Sequence, residues 1–374
     1  MDYKNYVKVL LGTLTIFIFI IIALAVVIDP FGLYRIIQIR GFNYSKWNQV
    51  KTRLHFVKSL EVIKRDSNLI FLGNSRTGMG MNPQDDAIPK KYRSYNMGLP
   101  GLRVYEAYHY LKYIVNHLKI ERVVFGVDFI MFNQYQLHGP SFDLNLLQTA
   151  FPLYRLSKAV LSKTVVNAMV ENLIENNKNP NGPYYGPLGL SISPDINSNK
   201  WDQINPEIHR LMNNPEYYKS FKLQDRFFQY YEKIIQLCQD NGIELDVFFS
   251  PSHAIQWMAV EQSGNWNNFE LWKKKIMQIN LKYHLKILDF AQVNQYSSQD
   301  IDTSPFYHDN SHFSSELGHL INSIIFHKED ISDFGIYLNK ENIENVLNEQ
   351  KKKLFDFTRN HPQFVTLLKN AQIH

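Results

Sequence analysis

The chain has 374 residues, room for one large or two modest globular units at roughly 150 residues per domain. Hydrophobic residues make up 45% and charged residues 20%, with 22 Tyr and 25 Phe, which excludes a disordered chain and predicts an aromatic-rich core. The net charge of +5 comes from 40 basic and 35 acidic residues that are interspersed, without a basic stripe to follow a phosphate backbone, so no nucleic-acid partner is expected.

Val9 to Ile28 reads VLLGTLTIFIFIIIALAVVI and carries no charge. At 1.5 Å per residue it matches the roughly 30 Å hydrocarbon layer, so residues 1–28 are read as a tail and a single transmembrane helix, with the lipid bilayer as the partner of residues 9–28. A cleaved signal peptide has a shorter apolar stretch and a small-residue cleavage site, whereas Ile28-Asp29-Pro30-Phe31 offers none. Lys4 and Lys8 precede the span and Arg35, Arg40 and Lys46 follow it, so counting charges does not assign the side. The short N-terminal flank favours a signal anchor with the body on the exported, periplasmic or extracytoplasmic side. Residues 29–66 are polar and basic and read as a juxtamembrane stalk with one helix over Lys46–Lys64.

The body, residues 67–330, repeats one design. Asn68–Gly73, NLIFLG, is an apolar run ending in glycine, the pattern of a strand buried on both faces. Leu102–Asn116 places Val104, Ala107, Tyr108, Leu111, Ile114 and Val115 at helical spacing, and Arg122–Val127 reads as the next buried strand. Phe221, Phe227, Tyr231, Ile234, Ile235 and Cys238 share a helical face before the Asn241-Gly242 stop and a strand over Ile243–Phe249. A helix near Phe269–Tyr283 leads into a last strand, Lys286–Phe290. Strands alternating with helices predict an α/β fold, a three-layer sandwich with a mainly parallel sheet. Cys238, the one cysteine, allows no intrachain disulfide and reads as core packing.

An insertion of about 133–215 interrupts the repeat. It includes a loop-rich stretch, Asn176–Asn199, and enough apolar residues over Leu144–Leu173 for two helices, and is read as a cap facing the substrate. Beyond residue 330 the sheet pattern stops. Residues 331–374 form a helical extension in which Ile343, Val346, Leu347, Leu354 and Phe357 share a face and Lys351, Lys352 and Lys353 lie mostly off it, on a solvated side.

In an open parallel sheet ligands bind beyond the carboxyl ends of the strands. After the first strand comes Gly73-Asn74-Ser75-Arg76-Thr77, a hydroxyl at a strand-to-helix turn that is either a nucleophile or a helix cap. Asn96-Met97-Gly98-Leu99-Pro100-Gly101 is either a close backbone approach to a ligand, with Gly101 as an oxyanion donor, or a tight turn. Gly126-Val127-Asp128-Phe129 puts a carboxylate just past a strand. Tyr307-His308-Asp309-Asn310-Ser311-His312 places Asp309 and His312 on one turn, close enough for the carboxylate to fix the imidazole while its other nitrogen faces Ser75. His253, after a strand end, either lines the pocket rim or is exposed. No trio of His, Asp, Glu or Cys has metal-site spacing, so neither metal nor cofactor is expected.

Together these blocks resemble the SGNH (GDSL-like) hydrolase superfamily, and in particular its membrane-anchored members linked to acylation of cell-surface polysaccharides. The resemblance spans about Asn68–Phe326 and implies a nucleophile at Ser75, an oxyanion glycine at Gly101 and a D-x-x-H pair at Asp309 and His312. The third block departs from the pattern: the usual G-x-N-D asparagine is here Asp128, whose ionised carboxylate would repel an oxyanion. Asp128 either holds an active-site loop, the favoured reading, or is kept protonated by burial, or the chemistry is weaker or different; Asn74 or Arg76 is either a compensating donor or substrate-carboxylate contact or a solvated turn residue. The resemblance implies a serine esterase or O-acetyltransferase acting on a cell-envelope polysaccharide. For transfer it also implies a multi-spanning membrane partner that delivers acyl groups. The reading from another class is a non-catalytic glycan-binding or assembly module on the same fold, for which Asp128 is the best support.

Overall fold

Packing between elements far apart in the chain organises the molecule. The computed structural model describes residues 2–135, 137–148, 160–182, 185–186, 188–191, 199–331 and 333–372, the Trp47 side chain excepted. In chain order come α1 (Tyr3–Ile28), α2 (Trp47–Lys51), α3 (Leu54–Lys64), β1 (Leu69–Gly73), α4 (Ser75–Gly80), β2 (Ser94–Gly98), α5 (Val104–Val115) and β3 (Arg122–Val127). There follow α6 (Leu144–Gln148), α7 (Lys163–Lys178), α8 (Trp201–Asn213), α9 (Asp225–Asp240), β4 (Glu244–Phe249), α10 (Ala254–Gln262), α11 (Trp266–Lys282), β5 (Ile287–Asp289), α12 (Ser315–Asn322), β6 (Ile336–Leu338), α13 (Ile343–Asn360) and α14 (Pro362–Gln372). Two compact units result: residues 1–64 with 143–187, and residues 65–142 with 188–374.

In the first unit, α1 is long and apolar enough to cross a membrane, with a mean hydropathy of 3.0 over its best window. Asp29 ends it in a left-handed conformation (φ 45°), and its carboxylate accepts the N–H groups of Leu33 (2.7 Å), Tyr34 (3.0 Å) and Arg35 (2.7 Å). The buried Lys46 ammonium donates to the Asp29 carbonyl at 2.7 Å, a cation placed where a helix C-terminus favours one. The expected stalk is instead a packed layer: Ser45 N–H donates to Asn176 Oδ1 (2.8 Å), and the Asn172 and Asn176 amides donate to the Ser45 carbonyl (2.7 and 2.9 Å). Residues 143–187 of the insertion, read as a cap facing the substrate, therefore belong to the juxtamembrane unit. The single helix expected over Lys46–Lys64 is broken into α2 and α3. Of the two helices expected over Leu144–Leu173, α6 and α7 fall within the described residues, whereas residues 149–159, and residues 183, 184, 187 and 192–198 of the stretch expected as a loop at Asn176–Asn199, lie outside them.

The second unit is an α/β body whose six-stranded sheet has the order β2-β1-β3-β4-β5-β6. All neighbours are parallel except β6, which runs antiparallel to β5. Strands β1, β2 and β3 are buried along their whole length, as expected where both faces of a parallel sheet are covered. Two of these six strands escape the hydrophobic pattern. β2, SYNMG, is rich in polar groups, and its Asn96 is satisfied by side-chain hydrogen bonds rather than by polar solvent. β6 is three residues long with only Leu338 buried, so the sheet does not stop at residue 330 as the pattern implied. Phe249 against Trp272 (4.3 Å) and Phe129 against Phe221 (4.1 Å) anchor an aromatic core. The buried Lys273 ammonium ties α11 to Asp289 (2.7 Å) and to Gln350 of α13 (2.9 Å). The C-terminal extension is two helices, α13 and α14, and α14 packs on α8. Cys238 is buried on α9, and desolvation pushes its thiol up to about 12.

The reversal that defines a ligand crevice lies between β1 and β3, since β1 connects outward to β2 and the chain then returns past it to β3. Close glycine contacts hold α4 there. A Cβ on Gly98, at the end of β2, would run into the backbone of Gly78, and one on Gly318 of α12 into the Gly80 carbonyl. Backbone atoms cannot yield as a side chain can. Gly98→Ala is therefore expected to lower stability by about 1–3 kcal/mol through overpacking, read as a several-degree fall in Tm by circular dichroism of the detergent-solubilised chain. An unchanged Tm would mean that α4 is free to move away from β2.

Candidate active site

The serine turn is built by its neighbours. After β1, Asn74 caps α4 by accepting the Arg76 N–H at 2.9 Å, which makes Ser75 the first helical residue at the carboxyl end of the sheet. Ser75 is half-buried, whereas Asn74, Arg76 and Thr77 are buried. Asn96 in β2 holds the other end of α4, donating to the carbonyls of Thr77 (2.8 Å) and Met81 (2.7 Å) while accepting the Gly98 N–H (2.7 Å). Asn96 lies in a segment whose sequence draws attention to its glycines, and the signal it offers is a polar amide within the buried Tyr95-Asn96-Met97-Gly98 run.

The second half of the site is a tight loop closed by a bridge between Tyr307 and Phe313. Within it, Asp309 Oδ1 accepts the N–H groups of Ser311 (2.7 Å) and His312 (2.7 Å), which aims Oδ2 at the His312 ring. His312 Nδ1 lies 2.7 Å from that oxygen and Nε2 lies 2.9 Å from Ser75 Oγ. With Nδ1 donating to the carboxylate, Nε2 keeps the lone pair that accepts the serine proton. Burial disfavours the imidazolium, but the charge and hydrogen bond of Asp309 outweigh it, helped by Glu207 of α8, and the His312 pKa is raised. Burial likewise opposes ionisation of Asp309, yet the His312 partner and the two backbone N–H groups bring it down to about 2.

The two halves are joined by Arg76. Its guanidinium is paired with Asp128 at the end of β3 and donates from Nε to Ser311 Oγ at 3.1 Å. Burial disfavours the cation, but Asp128 and weaker neighbours keep the Arg76 pKa raised. The Asp128 carboxylate is thus neutralised by a partner, and its Oδ2 has no hydrogen-bond partner among the described residues. Ser311, which sequence reasoning did not single out, is the link; it stands between the two residues of the D-x-x-H pair.

The remaining expected residues fall into place around this set. Gly101 stands in a left-handed conformation (φ +66°) on an exposed turn, and a side chain there would meet nothing within 4 Å. The Leu99 N–H to Gly73 carbonyl bond (3.0 Å) lays the start of that turn beside the serine turn. His253 neither lines an exposed rim nor sits in solvent. It is fully buried at the start of α10, accepting the Ile255 N–H at Nδ1 (3.3 Å) and bonding the Gln299 carbonyl through Nε2 (2.7 Å). Desolvation pushes it down to about 4, so it is a neutral brace whose own N–H holds the Asn310 carbonyl (3.2 Å). His308 spends its N–H on the His312 carbonyl (2.9 Å).

Away from this site, Asp85, Asp86 and His319 bring three ligand-type atoms within 4.8 Å of one another. The Asp85 carboxylate is already bonded to His319 Nδ1 (2.8 Å), Asn322 Nδ2 (2.8 Å) and the Ala87 N–H (2.9 Å), so the grouping is accounted for as a clamp between α12 and the loop after α4.

The coupled pair has opposite linkage at its two ends. The raised His312 pKa adds stability below its unfolded value near 6.5 that is lost as pH rises through the folded value; the lowered Asp309 pKa adds stability above 3.8 that is lost as pH falls toward 2. Histidine-selective NMR is expected to show His312 titrating above 6.5 in the native chain and falling in Asp309→Asn. An unmoved His312 titration would show that the carboxylate does not set it. Compared with known proteins, the chain matches no family model and no curated sequence, so the reading of this site rests on its own geometry.

Proposed function

We propose that the protein is a membrane-anchored SGNH-like serine esterase or O-acetyltransferase acting on an acetylated polysaccharide of the cell envelope, with its body on the exported side. The observation that carries this reading is the continuous chain from Asp309 Oδ2 through His312 (2.7 Å) to Ser75 Oγ (2.9 Å), at a crevice formed by strand ends.

In the reaction the Ser75 proton passes to His312 Nε2 as Oγ bonds to the ester carbonyl carbon. The tetrahedral oxyanion collapses, the bond between the acyl carbon and the sugar oxygen breaks, and His312 returns its proton to the departing sugar oxygen. An acyl-serine remains. Water or an acceptor hydroxyl then gives a proton to His312 and attacks the acyl carbon, and Ser75 recovers its proton as acid or newly acetylated glycan leaves. Asp309 stays ionised throughout and orients the ring. Gly101 is assigned the oxyanion N–H by the family resemblance, and the open space at its Cα suits a substrate approach. Asp128 does not repel the oxyanion as a bare carboxylate would, because Arg76 holds its charge.

For transfer, the acyl group comes from a donor delivered across the bilayer by a separate multi-spanning protein. The linked triad favours this reading over the non-catalytic glycan-binding module, for which a pre-aligned serine and histidine have no use. Acetate release from acetylated oligosaccharides by the purified full-length chain is the test. Ser75→Ala and His312→Ala are each expected to reduce it by at least about 10³-fold, the scale of removing a member of such a unit, while His209→Ala on the exposed side of α8 leaves it unchanged. Turnover that survives Ser75→Ala would sink the assignment.

A further inference from the structure

The outward face of the juxtamembrane unit carries apolar residues that are exposed among the described residues. On α7, Val165, Ala168, Met169, Asn172 and Asn176 are buried, and the helix packs against α1. A second stripe on the same helix, Val166, Val170 and Ile174 at intervals of four, points outward with 37%, 53% and 51% of each residue exposed. Residues four apart lie on one helical face, so these side chains form a continuous ridge. Just after α1, Ile36 (68% exposed) and Ile39 (53% exposed) add to it. Single exposed apolar residues are ordinary, but a continuous set of this kind marks a contact surface.

Position identifies the contact. The residues of α1 buried by the unit are Ala25 and Ile28, both in its last turns. The Asn43 amide donates to the carbonyls of Val27 and Ile37, both at 2.8 Å, which fixes the isoleucine loop at the end of α1. The loop also adjoins α7, because Arg40 donates to Asn181 at 2.6 Å just past its C-terminus. For a helix that spans a bilayer, those last turns are the depth at which acyl chains meet headgroups. Exposed Lys163, Arg40 and Lys178 flank the apolar ridge, the arrangement by which long cationic side chains reach phosphates while neighbouring apolar residues stay in the acyl layer.

We propose that this face, Ile36 and Ile39 with Val166, Val170 and Ile174, is buried in the headgroup and acyl boundary of the phospholipid bilayer that α1 crosses, so that α7 is an interfacial helix. The proposal rests on α1 being a membrane span and extends it: the chain is attached by a docked surface as well as by a single helix.

The test places one nitroxide at a time, through Val170→Cys, Ile39→Cys, Phe17→Cys in α1 and Leu271→Cys on the exposed side of α11, in the full-length chain. Cys238 is buried and its thiol held protonated, so it does not compete for label. The labelled chains are reconstituted in nanodiscs of phosphatidylcholine and phosphatidylglycerol, and collision rates with oxygen and with a water-soluble nickel chelate are read by electron paramagnetic resonance. Sites 170 and 39 are expected to favour oxygen as site 17 does, with the ratio inverted at 271. Oxygen preference at 17 with chelate preference at 170 and 39 overturns the docking and leaves the span standing. Chelate preference at 17 overturns both. Low accessibility to both reagents at 170, with dipolar broadening between labels, means a second copy covers the ridge and also overturns it.

Discussion

A buried guanidinium governs the body of this protein. Arg76 sits one residue beyond Ser75, pairs with Asp128 at the end of β3, and donates to Ser311 in the loop that carries Asp309 and His312. Three chain segments that share no local sequence thus converge on one charged group at the point where strand order reverses. A buried ion pair adds little net stability, since desolvation offsets attraction, but removing one partner strands a charge in low dielectric at about 3–5 kcal/mol. Its effect here is positional: the pair fixes where the serine turn and the histidine loop stand relative to each other, and the hydrogen bond of 2.9 Å between them follows.

Around that centre the supports are neutral hydrogen bonds. Asn96 holds α4 from below, while His253 and Ser252 hold the histidine loop, the Ser252 hydroxyl donating to the Ser311 carbonyl at 3.2 Å. Asn310 bonds Gln256 (2.6 Å), which in turn bonds Tyr218 (2.5 Å). Side chains locked in this way hold Ser75 and His312 at hydrogen-bond distance, the precision that the proposed general-base chemistry would require. The juxtamembrane unit uses the same device for a different end, with Asn172 and Asn176 replacing water around Ser45 and Lys46 closing the end of α1.

What the sequence displayed depended on whether its signal was local. LIFLG announced β1 because both faces are apolar and buried, and Asp309 and His312 announced themselves because a carboxylate and imidazole three residues apart meet on one turn. β2 stayed hidden because its burial relies on the Asn96 amide finding carbonyls on α4, 15 and 19 residues away. Asp128 looked like a fault in the oxyanion block because its neutralising partner lies 52 residues earlier. The layer after α1 reads as a stalk for the same reason, the partner of Ser45 lying 131 residues downstream. The position of His253 after a strand suggests a pocket rim or an exposed loop, yet the chain folds back over it through the Gln299 carbonyl 46 residues on.

The claim at the centre is that Ser75 is a nucleophile activated by His312. Rapid acid quench of the full-length protein with p-nitrophenyl acetate, followed by peptide mass mapping, tests it directly. An acetyl group on the peptide that contains Ser75, formed in the native chain and lost when His312 is replaced by Ala, is the predicted result. Acetylation that appears elsewhere in the chain, or that reaches Ser75 at the same rate without His312, would contradict it.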